Sequence, residues 1–289
     1  MAIYNLGSIN IDHFYRVPHM PAPGETLSAT SYQMGLGGKG ANQSAAAAKA
    51  GARVVHIGAV GPEGLWTIER LQGWGVVTGH IVKGDVPTGH AIINVDASGE
   101  NTIVLYKGAN YALTVEQLDD ALRDAGSGDM LVMQNETSLQ AEAAQRARAK
   151  GMTVVYSAAP FDVAAVSAVL PHVTILALNA VEADQLCAAL DTRLEDLQVP
   201  EVLVTRGAEG AEWRPRGGKR VFVPALSVEV ADTTGAGDTF AGYFAAARDG
   251  GMTATQALEL ASAAAALKVT RRGTADAIPT LAEVKAFRG

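Results

Sequence analysis

The chain has 289 residues, 48% hydrophobic and 18% charged, a balance that fits a well-packed globule and excludes a disordered chain. Its 23 basic and 30 acidic residues give a formal charge of −7, which excludes a general nucleic-acid binder but leaves room for a local phosphate pocket. No apolar run approaches the roughly 18 residues of a membrane span, no basic and apolar leader opens the sequence, and the one cysteine, Cys187, allows no internal disulfide. The expectation is therefore a cytoplasmic protein with no membrane or nucleic-acid partner. Cys187 reads as a small packing residue rather than a nucleophile, and the six histidines lack paired ligand spacing, which argues against a protein-built zinc site.

In chain order, "IYNLGS" is the first strand-like run, and "NIDHF" (10–14) follows it with Asn10 and Asp12. "MGLGGKGANQS" (34–44) fits G-x-G-x-x-G through Gly35, Gly37 and Gly40, but stands about 30 residues after the first strand, too late for the dinucleotide fingerprint. Lys39 is followed by Gly40, where a Walker A loop requires Ser or Thr. The reading that fits better is a glycine turn admitting a polyhydroxylated ligand, with Lys39 and Asn42 as hydrogen-bonding groups. "ANQSAAAAKAG" (41–51) reads as a helix closing on Gly51.

Short β-branched runs then alternate with helical ones. "RVVHIGAVG" (53–61), "DMLVMQ" (129–134), "MTVVYSAAP" (152–160), "HVTILALN" (172–179) and "EVLVTRG" (201–207) read as strands buried on both faces, and "SLQAEAAQRARAKG" (138–151) as a helix. This is the pattern of an α/β fold with a mostly parallel sheet covered by helices. Residues 88–110 break the rhythm as two strands around "DASGEN", with Ala91, Ile93 and Val95 on one face of the first and Ile103 and Leu105 on one face of the second. Such a hairpin is either an edge extension of the sheet or a lid. No internal repeat or linker marks a second folding domain.

Most polar candidates fall just after the carboxyl end of an expected strand, where open α/β sheets bind ligands. Glu136 follows "DMLVMQ", Asn179 and Glu182 stand three apart after "HVTILAL", and Thr205 and Gly207 end "EVLVTRG". The Asn179–Glu182 pair suits either a hydrated Mg²⁺ near phosphates or a helix cap. "VADTTGAGDTFAG" (230–242) is the sharpest signal. Gly235, Ala236 and Gly237 let a backbone approach an anion at a helix N-terminus, and Asp238, which would repel a phosphate, makes sense as the acceptor of a proton from an attacking hydroxyl.

The chain resembles the PfkB, or ribokinase-like, family of sugar kinases. "GGKGANQS" is similar to the family's first signature and "DTTGAGDTFAG" to its second, and "GSINID", "PAPGET", "PTGHA", "GEN", "GAN", "NAVEAD", "VLVTRGAEG" and "VTRRGTADAIP" fall in family order. The resemblance implies a ribokinase-like three-layer α/β/α domain over residues 1–289, with a small β lid built from about 12–34 and 87–108. It implies transfer of the γ-phosphoryl group of ATP to a hydroxyl of ribose or a similar small sugar, a ketohexose, deoxypentose or nucleoside being the alternatives within the family. A non-catalytic sugar-binding protein is the alternative of another class.

By the same resemblance Asp238 would be the base, and the backbone of Gly235, Ala236, Gly237 and Asp238 the anion hole. Asn10, Asp12, Gly38, Lys39, Asn42 and Glu136 would hold the sugar, with Ala91, Ile93 and Ile103 closing over it. Asn179, Glu182, Thr205, Gly207, Gly210, Gly237 and Ser262 would surround the nucleotide, Glu182 reaching Mg²⁺ through water. Asp232 with backbone of Thr234, Lys268, Arg271 and Gly273 would repeat a K⁺ site, although Ala277 departs from the pattern where a Ser usually stands. "SAAP" (157–160) is a second departure, standing where the pattern tends to read Asn-Pro-Ala-Pro. The family's lid often doubles as a dimer interface, which implies a homodimer.

Overall fold

The computed structural model describes residues 1–288. In chain order the first half carries β1 (Ile3–Leu6), β2 (Asn10–Arg16), β3 (Ser31–Gly37), α1 (Lys39–Lys49), β4 (Val54–Val60), α2 (Leu65–Gly73), β5 (Val77–Lys83), β6 (Gly89–Val95), β7 (Asn101–Tyr106), α3 (Val115–Ala121) and β8 (Met130–Gln134). The second half carries α4 (Gln140–Ala149), β9 (Thr153–Ser157), α5 (Val163–Val169), β10 (Ile175–Asn179), α6 (Ala180–Ala189), β11 (Glu201–Thr205), β12 (Gly210–Pro215), β13 (Val221–Pro224), α7 (Ala236–Asp249), α8 (Ala254–Val269) and α9 (Leu281–Arg288). The nine-stranded sheet runs β13-β12-β11-β10-β9-β8-β1-β4-β5, parallel except where β12 pairs antiparallel with both β11 and β13.

Both faces of that sheet are covered, which is why its strands read as unbroken apolar runs. Alternate residues feed two cores. Ile3, Val132 and Ile175 point toward α1, α2, α7, α8 and α9, while Tyr4, Leu131 and Leu176 point toward α3, α4, α5 and α6. The result is the expected three-layer α/β/α architecture. Alanines at 41 and 45–47 let α1 lie close against α7.

The hairpin of β6 and β7 does not extend this sheet. It joins β2 and β3 in a separate four-stranded sheet of order β3-β2-β6-β7. The two long segments that supply it run slightly beyond the expected bounds at Asn10–Gly37 and fall just inside them at Gly89–Tyr106. Every residue of β7 is exposed, on both faces. As an edge strand of a small sheet it has no layer packed against it.

Candidate active site

The site begins with Gly7 and Gly40, whose backbones cross so closely that a Cβ on Gly40 would lie 2.3 Å from Gly7 Cα. This crossing seats the first turn of α1 on the β1–β2 connection, and there its amides are used up. Lys39 N–H donates to Glu136 Oε2 (3.1 Å), Gly40 N–H to Ser8 Oγ (3.2 Å) and Ala41 N–H to the Ser8 carbonyl (2.8 Å). Ser8 Oγ in turn donates to Glu136 Oε2 at 2.5 Å. The G-x-G-x-x-G stretch is therefore no anion cradle. Gly35 and Gly37 lie within β3, and a Cβ on Gly37 would sit 2.0 Å from Asp12 Oδ2. Glycine there leaves room for the Asp12 carboxylate.

The other glycine turn differs. Gly235 adopts φ 72° as N-cap of α7, a conformation that costs glycine little. Among the described residues the amides of Gly235, Gly237 and Asp238 have no backbone acceptor, whereas Ala236 N–H donates to the Thr233 carbonyl at 3.1 Å. Three of the four expected backbone donors thus remain free for an anion at the positive end of a helix.

Asp238 stands in the first turn of α7, buried, with its carboxylate facing α1. The Asn42 side-chain amide donates to Oδ2 at 2.9 Å and that of Gln43 to Oδ1 at 3.1 Å. Gln43 is fixed in turn by Gln134 Nε2, which donates to its Oε1 (2.8 Å) and to Asn5 Oδ1 (3.0 Å). Asn5 Nδ2 continues to Ser44 Oγ (2.8 Å), and Ser44 Oγ lies 2.8 Å from His56 Nδ1. His56 Nε2 lies 3.1 Å from the Gly7 carbonyl, so Nε2 carries the proton and Nδ1 accepts from Ser44. Burial pushes His56 down to about 4, which keeps the ring neutral. None of Asn5, Gln43, Gln134 and His56 was expected at the site. Their signal is a polar residue inside an otherwise buried apolar run, as in "IYNL", "MLVMQ" and "VVHIGAV".

Asn10 and Asp12 belong to the start of β2, not to the end of β1, and both are buried. Asn10 Oδ1 accepts from Asn110 Nδ2 at 2.8 Å, and Asn110 Oδ1 accepts from Ile9 N–H at 2.9 Å. Asn110 is thus a further orienting residue that the sequence reading passed over. Burial, with Glu136 and Asp238 adding repulsion, raises Asp12 to about 7. Burial also pushes Glu136 up, against Lys39 and Ser8. The Asp238 carboxylate, with Glu136 and Glu182 and against burial, holds the Lys39 ammonium above its ordinary value. Ala91 and Ile93 share the Asp12 face of the small sheet. Ile103, the cross-strand partner of Ile93, is 54% exposed on the uncovered edge strand and does not close the pocket.

Lys39, Asn179, Glu182, Thr205, Gly235, Gly237 and Asp238 line one cavity of about 140 Å³. Asn179 is the N-cap of α6 and Glu182 its third residue, so the pair is a reciprocal cap, with Glu182 N–H to Asn179 Oδ1 and Asn179 N–H to Glu182 Oε2, each 2.8 Å. A trough of about 460 Å³ adjoins it at Thr205, Gly237 and Phe240. It collects the expected Gly207, Gly210 and Ser262 with the unexpected apolar side chains of Leu226, Val228 and Val230. Gly210 also serves the fold, since a Cβ there would meet the Val223 carbonyl at 2.2 Å.

The expected K⁺ residues come together, and the Asp232 carboxylate among them already accepts two backbone amides. Asp232 Oδ1 accepts from Thr234 N–H and Oδ2 from Gly273 N–H, both at 2.9 Å. Burial works against them, yet these bonds hold Asp232 below the ordinary carboxylate range. Among the described residues no group of three or more His, Cys, Asp or Glu is arranged to hold a metal ion, and no helix is long and apolar enough to cross a membrane.

The model of the pfkB family carbohydrate kinases matches residues 3–281. The ribokinase of Haemophilus influenzae is 36% identical over 297 residues, covering 98% of this chain and 96% of that protein. The deoxyribokinase of Salmonella typhi is 33% identical over 304 residues, covering 99% and 98%. The solved structure of Arabidopsis thaliana ribokinase complexed with ribose and ATP superposes with a TM-score of 0.88, with 29% identity and 99% of each chain covered.

Proposed function

The chain belongs to the pfkB family of carbohydrate kinases, and on that premise we propose that it transfers the γ-phosphoryl group of ATP to a hydroxyl of ribose. The observation that carries this reading is the seat of Asp238, between a pocket of hydrogen-bonding groups and a turn of free amides. Asn10, Asp12, Lys39, Asn42 and Glu136 hold the sugar. Asp238 takes the proton of the attacking hydroxyl, and the amides of Gly235, Gly237 and Asp238 stabilise charge gathering on the transferring group. Such a reaction needs little covalent help beyond positioning and charge stabilisation.

The adenine portion suits the apolar trough between Leu226 and Ser262, where a flat ring finds apolar walls. Mg²⁺ would lie near Glu182. Only one oxygen of that carboxylate is engaged in the cap, which fits an ion that keeps several waters and binds mainly through phosphates. When bound it supplies charge neutralisation between the phosphates. The small sheet acts as a lid over the sugar and pairs two copies into a homodimer, supported by the exposed Tyr32, Met34, Val104 and Tyr106. A cytoplasmic location fits a substrate pair of sugar and ATP.

The test is ADP release with ATP and Mg²⁺ against ribose, 2-deoxyribose, fructose, tagatose and adenosine. Ribose is expected to give the highest kcat/KM, and the Asp238→Asn protein to melt like the parent while losing at least about 10²-fold in kcat. Parent-like turnover by Asp238→Asn would remove the base. The 33% identity to a deoxyribokinase supports a second reading, with 2-deoxyribose as acceptor. A site built to pair every sugar hydroxyl rejects an analogue lacking one, so the ratio of the two sugars decides between them.

A further inference from the structure

The approach to α7 carries its own positive charge. Lys268, in the last turn of α8, is 0% exposed, and its Nζ donates to the Asp232 carbonyl at 3.2 Å without entering an ion pair among the described residues. Burial lowers its affinity for the proton, and the nearby Asp232 carboxylate opposes that effect. A buried ammonium with so little direct compensation is costly, so chains rarely hold one without a use for its charge.

Around it two of the residues expected to bind K⁺, Asp232 and Lys268, have their ligand groups already engaged, and the Ser oxygen that usually stands at 277 is missing. Both Asp232 carboxylate oxygens already accept backbone amides, and the Lys268 carbonyl accepts from Arg271 N–H at 2.9 Å. Ala277 packs beside Gly273, its Cβ 3.9 Å from where a Cβ on Gly273 would stand, and offers a methyl group in place of a ligand oxygen. We propose that Lys268 is a tethered cation that replaces a monovalent ion at the turn leading into α7, so that turnover does not depend on K⁺.

The physical link is short. The ammonium fixes the Asp232 carbonyl from one side of the chain, and the Asp232 carboxylate fixes Thr234 N–H from the other. The Thr233 carbonyl then takes Ala236 N–H, which aims the free amides of Gly235, Gly237 and Asp238. A unit charge behind those amides also adds to the field that an anion meets. Lys268 is thus a positioning residue, acting through the turn rather than on the substrates.

This inference rests on the kinase reading, and the experiment keeps the two apart. ADP release by the parent is measured in potassium, sodium and choline chloride at equal ionic strength, alongside melting curves in the same salts. Rates within about twofold and equal melting temperatures are expected, since a turn already held by a tethered ammonium gains little from binding K⁺. Lys268→Met is expected to lose about tenfold or more in kcat with the sugar KM unchanged, Lys268→Arg to lose less, and propylammonium chloride to restore part of the Lys268→Ala rate. Potassium that activates the parent several-fold or raises its melting point overturns the proposal, as does a folded Lys268→Met with the parent kcat. Should Lys268→Met fail to fold, the parent's salt comparison and Lys268→Arg still decide. Absence of ADP release in every salt with every sugar sinks the kinase reading instead, while the melting curves still report on the cation.

Discussion

A carboxylate proposed to collect one proton from one direction has to be stopped from turning, and at Asp238 the side-chain amides of Asn42 and Gln43 hold both oxygens. Gln43 is the less obvious of the two, because Asn42 is a proposed sugar contact whereas the Gln43 side-chain amide bonds to Asp238 and Gln134. Gln43→Met keeps the shape and removes the donor. It should lower kcat about 10- to 100-fold with both KM values nearly unchanged, the scale of a misplaced reacting group. Gln134→Met should act in the same direction, and the double variant should cost less than the product of the two, because both losses pass through one contact. Steady-state kinetics on the three proteins checks this. Asp12 offers a different test. Its pKa of about 7 lies above its unfolded value of 3.8, so the folded state holds a proton that the unfolded chain releases between those values. Stability contributed by that proton is present at low pH and lost as pH rises toward 7. Asp12→Asn should therefore gain in melting temperature on the parent between about pH 5 and 8, and should raise KM for the sugar. A melting difference that stays flat with pH would contradict the assignment.

At the scale of elements, two helices begin at glycine turns and only one presents its amides. The first turn of α1 is capped from other segments by Ser8 and Glu136, and its glycines serve close approach of backbone. The first turn of α7 is left open by a left-handed Gly235. Substitution separates these uses. Gly40→Ala, with its new Cβ driven against Gly7, should destabilise by at least about 1–3 kcal/mol in denaturant titrations, the ordinary cost of overpacking. Gly237→Ala meets nothing within 4 Å and removes a helix glycine, so stability should hold or rise by about 0.5–1 kcal/mol. Its methyl group would instead stand at the cavity shared with the nucleotide trough and raise KM for ATP.

For the whole molecule, the small sheet is the part without an explanation inside one chain. Val104, at 66% exposure, and Tyr106 on β7, with Tyr32 and Met34 on β3, leave apolar groups on its edges that a lone globule would cover. Burial against a second copy under two-fold symmetry, the homodimer proposed above, would account for them. Light scattering is expected to give a dimer for the parent and a monomer for Val104→Asp/Tyr106→Lys. A monomeric parent at micromolar concentration would remove that role.

Periodicity alone established the alternation of buried strands and helices, because it records which faces meet water, and the turn from Gly235 to Asp238 was legible because its parts are neighbours in the chain. Lys39 and Asn42 were likewise visible within one glycine stretch. The hairpin at 88–110 was legible as a hairpin, but its sheet was not, since pairing with β2 joins segments far apart in sequence. The hold on Asp238 lay furthest out of reach. Gln43 meets Asp238 across 195 positions, Gln134 meets Gln43 across 91, and Asn5 meets Gln134 across 129. Local spacing carries no trace of such contacts; the order β8-β1-β4, with α1 laid over it, creates them. The same holds for Lys268, whose burial follows from where α8 ends against the turn into α7.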